Sequence, residues 1–243
     1  MSSTPRLVLV ETIDLPVVEA SGVTVRQTER GSVVLVVGDR TAEVGVCVIR
    51  GGGELDDWTV LDLAELPGWP LPPGDSQFEA IAADGVPLYK RPGGGCAVVL
   101  DEGNAVVSVG LPLPGISHIK TTFEAVGDWI IAGLAECGVP GVEQRGVSDL
   151  AIGGMKIGGS CVYRTRGLFY YSTTLLVDPD LDLVERYLPH PPREPEYRAG
   201  RNHREFMGSL KAMGLGGDVG IFGWGLQAEL ESRLPELEKA TAI

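Results

Sequence analysis

Lys90-Arg91-Pro92-Gly93-Gly94-Gly95-Cys96 and, later in the chain, Ser148-Asp149-Leu150 followed by Lys156-Ile157-Gly158-Gly159-Ser160 are glycine-rich stretches that each carry a fixed cation. Because glycine has no Cβ, the backbone N–H groups of such a stretch can approach an anion closely, and the Arg91 guanidinium adds a fork of donors. Lys156 supplies a second, more compact positive charge. Together the stretches suit a site that holds a phosphate beside a carboxylate, as carboxylate activation by ATP requires.

Each of these residues also has an ordinary structural explanation. Three glycines between apolar runs can form a plain loop, and a lysine among glycines is commonly a surface residue. Asp149 and Asn104 are residue types that often serve turns. If Ile157 lies on the core face of a hairpin, Lys156 points to the opposite face, toward either solvent or a cleft.

Composition narrows the class of protein. The 243 residues are 44% hydrophobic, which is enough for a substantial core, and we expect one domain over 1–243, with 1–76 unassigned and 214–243 a short C-terminal helical segment. The formal net charge of −13 argues against nucleic acid and anionic membrane surfaces as partners. No apolar run approaches the roughly 20 residues that span a bilayer, and residues 1–16 lack the features of a secretory signal. We therefore expect a soluble cytoplasmic protein.

The cysteines do not indicate a metal centre. They are widely spaced and form no CxxC pair, and none lies at metal-ligand spacing from a histidine; the residues concerned are Cys47, Cys96, Cys137, Cys161, His118, His190 and His203. We predict no metal site, and buried thiols rather than disulfides.

Hydrophobic patterning predicts a mixture of strands and helices. Runs of Val, Ile and Leu broken by Gly, Pro and Asp predict early strands at 7–10, 22–26, 32–37 and 44–49. Apolar residues at helical spacing predict a helix from Ile119 that ends at Gly138. Further strands are predicted at 97–100, 105–111, 148–152, 158–163 and 168–177, and further helices at 181–187, 205–213 and through Leu226 to Leu237. Strand pairs interspersed with helices indicate an α+β fold on a mixed, mainly antiparallel sheet.

The motifs as a set resemble the lipoate-protein ligase family, within the biotin/lipoate ligase catalytic-domain group. Residues 90–98 with Asp101-Glu102-Gly103-Asn104 resemble its Arg-Arg-x-Ser/Thr-Gly-Gly-Gly-Ala-Val and Asp-x-Gly-Asn loop. Ser148-Asp149-Leu150 resembles its Asn/Ser-Asp-Leu, and residues 156–160 resemble its Lys-Ile/Val-Ser-Gly-Ser/Asn. The likeness extends from about Gln77 to Leu210 and implies a biotin/lipoate ligase-like, class II synthetase-like catalytic domain with helices flanking the sheet.

This resemblance implies a two-step reaction. A lipoate or medium-chain carboxylate such as octanoate would attack the α-phosphate of ATP, with Mg²⁺ as counter-ion, and a lysine of a lipoyl-acceptor domain would then take the acyl group from the adenylate. Lys156 would be the catalytic residue. The residues implied to bind substrate and adenylate are Arg91, Gly93, Gly94, Gly95, Cys96, Ala97, Asn104, Asp149, Gly158 and Thr174. A separate accessory chain is a further implied partner, because the chain lacks room after Leu210 for the accessory domain that many ligases carry.

Two alternatives stay open. Related octanoyltransferases take the acyl group from a carrier-protein thioester onto a cysteine, and Cys137 and Cys161 lie near the positions where those enzymes carry it, although the matching positions are Gly141 and Phe169 here. A domain that binds lipoyl-like ligands or proteins without turnover is the other alternative, since Leu100 and Ser172 stand where the family usually has histidine and Cys96 stands where it has its third glycine. The Gly-Arg-Gly-Arg-Arg-Gly string of biotin ligases is absent from the sequence.

Overall fold

One sheet organises the described part of the chain. The computed structural model describes residues 98–101, 103–112, 118–165, 168–191 and 193–241, and, before these, the backbone of several short strands. Among these residues, ten strands form one sheet, in which one pair of strands is parallel and the other pairs are antiparallel. The mixed, mainly antiparallel α+β sheet predicted from the sequence is confirmed.

Most elements lie near their predicted positions, but the single helix predicted through Leu226 to Leu237 is two helices, Val219–Ser232 and Leu234–Thr241. The strands are β1 Arg6–Leu7, β2 Val18–Ala20, β3 Val23–Thr28, β4 Gly31–Val34, β5 Glu43–Ile49, β6 Thr59–Val60, β7 Tyr89–Lys90, β8 Asn104–Pro112, β9 Glu143–Arg145, β10 Asp149–Ile152, β11 Met155–Thr165 and β12 Leu168–Leu176. The large sheet has the order β2-β3-β4-β5-β8-β12-β11-β10-β9, with β1 parallel to β5 at its side. Strands β6 and β7 pair with each other outside the large sheet. The helices, numbered here α1 to α5, are Ile119–Glu136, Leu181–Tyr187, His203–Phe206, Val219–Ser232 and Leu234–Thr241. None of the described helices is long and apolar enough to cross a membrane.

The core lies between one face of the sheet and the helices α1, α4 and α5. Alternate residues of β8 and β12 point into it, because side chains on a strand alternate between faces; the buried ones are Ala105, Val107, Val109, Leu111, Phe169, Tyr171 and Leu175. From the helices, Val126, Ile130, Leu134, Leu226 and Leu230 complete the same cluster. The opposite face of the sheet, which we call the site face, carries the polar residues of the candidate active site.

A bulge in β11 sets which face Lys156 occupies. Leu150 of β10 pairs with Gly158, but the next residue, Ala151, pairs with Lys156, so Ile157 is an extra residue in β11. If β11 alternated regularly through this stretch, Lys156 would lie on the same face as Gly158, the core face, because side chains alternate with a period of two. Ile157 is fully buried and Lys156 is not, as the alternation of the sequence had suggested.

The predicted strand at 97–100 does not form over its described residues. Residues 98–100 are irregular, and β8 instead pairs with β5 on one edge and β12 on the other, which leaves no free edge for a preceding strand. The turn at 101–104 serves another purpose. Asp101 Oδ2 accepts from the backbone N–H of Asp180, the N-cap of α2, at 2.6 Å, and so ties β8 to that helix.

The segment 194–208, which we call the clasp, contains only the first part of the predicted 205–213 helix. Helix α3 ends at Phe206, because Met207 forms a parallel bridge with Lys156 and the Gly208 N–H donates to the Lys156 carbonyl at 2.7 Å. The helix prediction was therefore wrong beyond Phe206, although Leu210 of this stretch is fully buried. The clasp therefore hydrogen-bonds to the backbone of Lys156 and holds it in position.

Candidate active site

A part-buried ion pair marks the site face. Lys156 Nζ lies 2.7 Å from Asp149 Oδ1, and the side chains are only 27% and 11% exposed. Strands β10 and β11 bring them together because Asp149 lies at the start of one strand and Lys156 directly precedes the bulge residue Ile157 in the other. An ion pair sheltered to this degree interacts more strongly than a pair in bulk water.

Gly159 forms the surface beneath the ammonium. A Cβ at Gly159 would lie 3.1 Å from Lys156 Nζ and 3.2 Å from its Cε, so the absence of a side chain is what lets the lysine lie across the strand. Gly158, which was predicted to bind substrate, pairs with Leu150 and Leu175 and lies on the core face. A Cβ there would come within 2.9 Å of the Thr174 carbonyl oxygen.

Tyr197 of the clasp completes the surroundings of Asp149. Its hydroxyl donates to Asp149 Oδ2 at 2.8 Å, while Oδ1 faces Lys156. Burial and the neighbouring Asp149 carboxylate raise the pKa of Tyr197 well above its usual range, so the hydroxyl stays protonated and remains a donor. The carboxylate thus has one fixed partner on each oxygen.

The other predicted contacts divide into three groups. Thr174 pairs with Gly159 across β11 and β12 and is partly exposed, so it shares the site face with Asp149. Asn104 lies on the same face, with its Nδ2 donating to Asp101 Oδ1 at 2.6 Å and its buried Oδ1 without a partner among the described residues. Arg91, Gly93, Gly94, Gly95, Cys96 and Ala97 lie outside the described residues.

A row of small polar residues lies beside Gly159 and Thr174 on the site face. Cys161 pairs with Ser172, which pairs with Ser108, and these positions are two residues along the strands from Gly159 and Thr174 on the same face. Cys137 differs, since it packs against the core at the end of α1. Burial, with smaller effects from Glu229 and Glu136, raises the pKa of the Cys137 thiol and disfavours the nucleophilic thiolate. Within the described part of the chain, no group of three or more His, Cys, Asp or Glu could hold a metal ion.

Sequence reasoning did not assign Gly159 or Tyr197 to the site. For Gly159 the signal was present, since it stands beside Gly158, but only the position of the bulge decides which glycine faces the lysine. Tyr197 belongs to the stretch Tyr197-Arg198-Ala199-Gly200-Arg201-Asn202-His203. No periodicity connects that stretch to Asp149, because their contact depends on how the clasp folds back over the sheet.

Known proteins share this arrangement of sheet and helices. A structure from Thermoplasma acidophilum, titled as a bi-partite lipoate protein ligase and its E2 lipoyl domain, superposes with a TM-score of 0.59 at 17% identity, covering 82% of this chain and 72% of that one. A lipoate-protein ligase A bound with ATP superposes with a TM-score of 0.57 at 21% identity, covering 83% and 74% of the two chains. At identities this low, the superpositions establish the fold alone, which is the α+β catalytic fold of lipoate ligases.

Sequence comparison narrows this class to one family. The lipoyl protein ligase A/B catalytic domain family matches residues 75–219, so the chain belongs to that family. A lipoate--protein ligase of Streptococcus pyogenes is 28% identical over 127 residues, which are 52% of this chain and 36% of that protein. The chain therefore spans little more than a third of the length of this relative.

Proposed function

We propose that this chain is an ATP-dependent lipoate-protein ligase that activates lipoate or a medium-chain fatty acid as an acyl-adenylate and transfers the acyl group to a lysine of a lipoyl domain. The observation that carries the proposal is the Lys156 ammonium, held by Asp149 over the bare backbone of Gly159 on the site face. Family membership and the ATP-bound ligase of the same fold support it.

In this proposal Lys156 is the catalytic residue and acts by electrostatics. In the first step a carboxylate oxygen of the acyl substrate bonds to the α-phosphorus of ATP and pyrophosphate leaves. In the second step the amine of the acceptor lysine attacks the acyl carbonyl, loses a proton and displaces AMP. Negative charge develops on phosphate oxygens in the first step and on the carbonyl oxygen in the second, and an ammonium already in place stabilises both without reorganising.

Asp149 would hold this ammonium in position while no anion is bound. A bound phosphate would then share the ammonium with Asp149, because an ammonium has three donors and the pair uses only part of them. Thr174 and Asn104, on the same face, are proposed as further ligand contacts, and the Asn104 Oδ1, which has no partner among the described residues, can accept a donor from the nucleotide. Arg91 and the glycine-rich residues 93–97 are proposed to cover the adenylate, with Mg²⁺ entering as the counter-ion of ATP.

Adenylate formation tests the function directly. Purified protein is incubated with Mg-ATP and either lipoate or octanoate, and pyrophosphate release and the acyl-adenylate mass are followed. We expect turnover with the native chain and a loss of about 10²- to 10³-fold in Lys156→Ala, by analogy with the removal of one preorganised donor. The matched control is Lys120→Ala, since the Lys120 side chain is 89% exposed and pairs only with Glu124 of its own helix among the described contacts. Equal activity in Lys156→Ala and the native chain would reject the proposed role of Lys156.

The position of Cys161 favours one second candidate, a thioester-dependent octanoyltransferase. Its place in the row beside Gly159 and Thr174 puts a thiol on the site face. If the native chain forms no adenylate, incubation with an octanoyl-carrier thioester and intact mass measurement would detect an acyl group on the protein. Loss of that group in Cys161→Ala, but not in Cys137→Ala, would establish the transferase instead of the ligase.

A lipoyl domain is the proposed acyl acceptor, and a separate accessory chain is a proposed partner in transfer. The Thermoplasma protein of the same fold is titled a bi-partite ligase and is described with its E2 lipoyl domain. Adenylate formation without transfer to an added lipoyl domain would indicate that the second step needs the further chain.

A further inference from the structure

The clasp reaches both members of the Lys156–Asp149 pair. Its tyrosine hydroxyl donates to Asp149, and its Gly208 N–H donates to the Lys156 carbonyl. Starting from the proposed function, we propose that Tyr197 is a positioning residue for the reaction, which acts through Asp149 to fix the Lys156 ammonium over Gly159.

Tyr197 is itself held firmly enough to position a neighbour. Its ring packs against Phe206 with centroids 5.0 Å apart, and the Arg145 guanidinium lies 5.2 Å from the ring centroid. Its carbonyl accepts from Arg201 at 2.7 Å, and the same guanidinium donates to the Gly154 carbonyl at 3.0 Å. Arg201 therefore connects the tyrosine to the turn of the hairpin that carries Asp149 and Lys156.

The hydroxyl of Tyr197 determines which carboxylate oxygen Lys156 can use. With Oδ2 occupied by Tyr197 at 2.8 Å, only Oδ1 faces the ammonium, at 2.7 Å. In Tyr197→Phe the buried Oδ2 would lose its donor, which is unfavourable, and the carboxylate would turn to offer both oxygens to Lys156. The ammonium would then be bound more strongly by Asp149 and would be less available to a substrate anion.

Kinetics of Tyr197→Phe in two backgrounds test the proposal. We expect kcat for pyrophosphate release to fall about tenfold, which corresponds to one hydrogen bond to a charged group, with a smaller change in KM for ATP. In an Asp149→Ala background the same substitution should change kcat less than twofold, because contacts that act through one another are not additive. The matched control is Tyr171→Phe, which removes a tyrosine hydrogen bond to Ser160 of 2.6 Å on the core face.

A second measurement does not depend on turnover. Lys156 is labelled with an amine-reactive acetyl ester and quantified by peptide mass spectrometry against the exposed Lys120. Tyr197→Phe should slow labelling of Lys156 at least threefold, and Tyr171→Phe should leave it unchanged. The proposal is overturned if Tyr197→Phe lowers kcat no more than Tyr171→Phe does, lowers it equally with and without Asp149, or leaves labelling unaltered. A native chain that forms no adenylate would instead reject the proposed function, and the labelling result would still decide the positioning role.

Discussion

At the scale of single residues, the site depends on two adjacent glycines with different tasks. Gly159 gives the Lys156 side chain space on the site face, whereas Gly158 lets β11 and β12 approach on the core face. The neighbours that a new Cβ would meet differ in kind. At position 159 they are the flexible end of a lysine, which can move, and at position 158 the nearest is a backbone carbonyl oxygen, which cannot move without distorting the sheet.

Alanine at each glycine should therefore separate activity from stability. Gly159→Ala should displace the Lys156 ammonium and lower the rate of adenylate formation about tenfold or more, since small misplacements of a catalytic group are costly, with a small change in melting temperature. Gly158→Ala should lower the free energy of unfolding by about 1 to 3 kcal/mol, the usual cost of overpacking. Thermal unfolding and pyrophosphate release on both variants check this pair. The interpretation fails if Gly158→Ala affects only the rate or Gly159→Ala affects only stability.

At the scale of elements, the sequence predicted most of the fold and part of the site. Helix α2 was predicted with its observed ends, because Asp180 is a good N-cap and Pro189 stands two residues after Tyr187. The errors occur where long-range pairing overrides local pattern. Residues 98–100 look like a strand but find both edges of β8 occupied, and the helical pattern after Phe206 yields to a bridge with Lys156. The same long-range pairing brings Tyr197 to Asp149, which a single sequence does not reveal.

The turn before β8 contains a long-range contact of this kind, between Asp101 and Asp180, whose contribution to stability can be tested. Asp101 accepts from Gly103 N–H at 2.8 Å, from Asn104 Nδ2 at 2.6 Å and from Asp180 N–H at 2.6 Å. Asp101→Ala would leave these donors without their acceptor, and we expect the free energy of unfolding to fall by about 2 to 3 kcal/mol, typical for hydrogen bonds to a charged group.

A nearby aspartate provides the control for this prediction. Asp178 pairs with Lys211 at 2.5 Å, but the side chains of Asp178 and Lys211 are 43% and 57% exposed. Asp178→Ala should thus cost less than about 1 kcal/mol, as exposed ion pairs usually do. Urea denaturation of both variants measures the two losses. Similar losses would mean that the Asp101 connection contributes no more than a surface pair.

At the scale of the whole molecule, the sheet separates two functions by face. The core face is covered by α1, α4 and α5, and the site face carries Asp149, Lys156 and Thr174. Residues 219–241 therefore contribute directly to the core through Leu226, Leu230, Leu234 and Leu237, which are all nearly inaccessible to solvent. Substitutions within α1, α4 and α5, which form the helical layer on the core face, should change the free energy of unfolding with little effect on the geometry of the Lys156–Asp149 pair.

The contact between α1 and α4 predicts that Gly133→Ala changes from destabilising to stabilising when Leu230 is replaced by alanine. A Cβ on Gly133 of α1 would lie 2.6 Å from Leu230 Cδ2 of α4, so Gly133→Ala should destabilise the native chain by about 1 to 3 kcal/mol through overpacking. Leu230→Ala should destabilise it by about 2 to 5 kcal/mol through loss of a buried side chain. In the Leu230→Ala background, however, Gly133→Ala should be stabilising, because the methyl group enters the space that the leucine leaves and alanine favours helix over glycine by about 1 kcal/mol.

Denaturation of the native chain, the two single variants and the double variant measures this coupling. Gly127→Ala is the control on the same helix, because its Cβ would meet Gln144 rather than α4. Its effect should be the same with leucine or alanine at position 230, since distant substitutions are additive. If Gly133→Ala destabilises both backgrounds equally, α1 and α4 do not meet at Leu230, and the helical layer packs on the sheet in another way. Adenylate formation measured on the same four proteins would then show whether the site face depends on that packing.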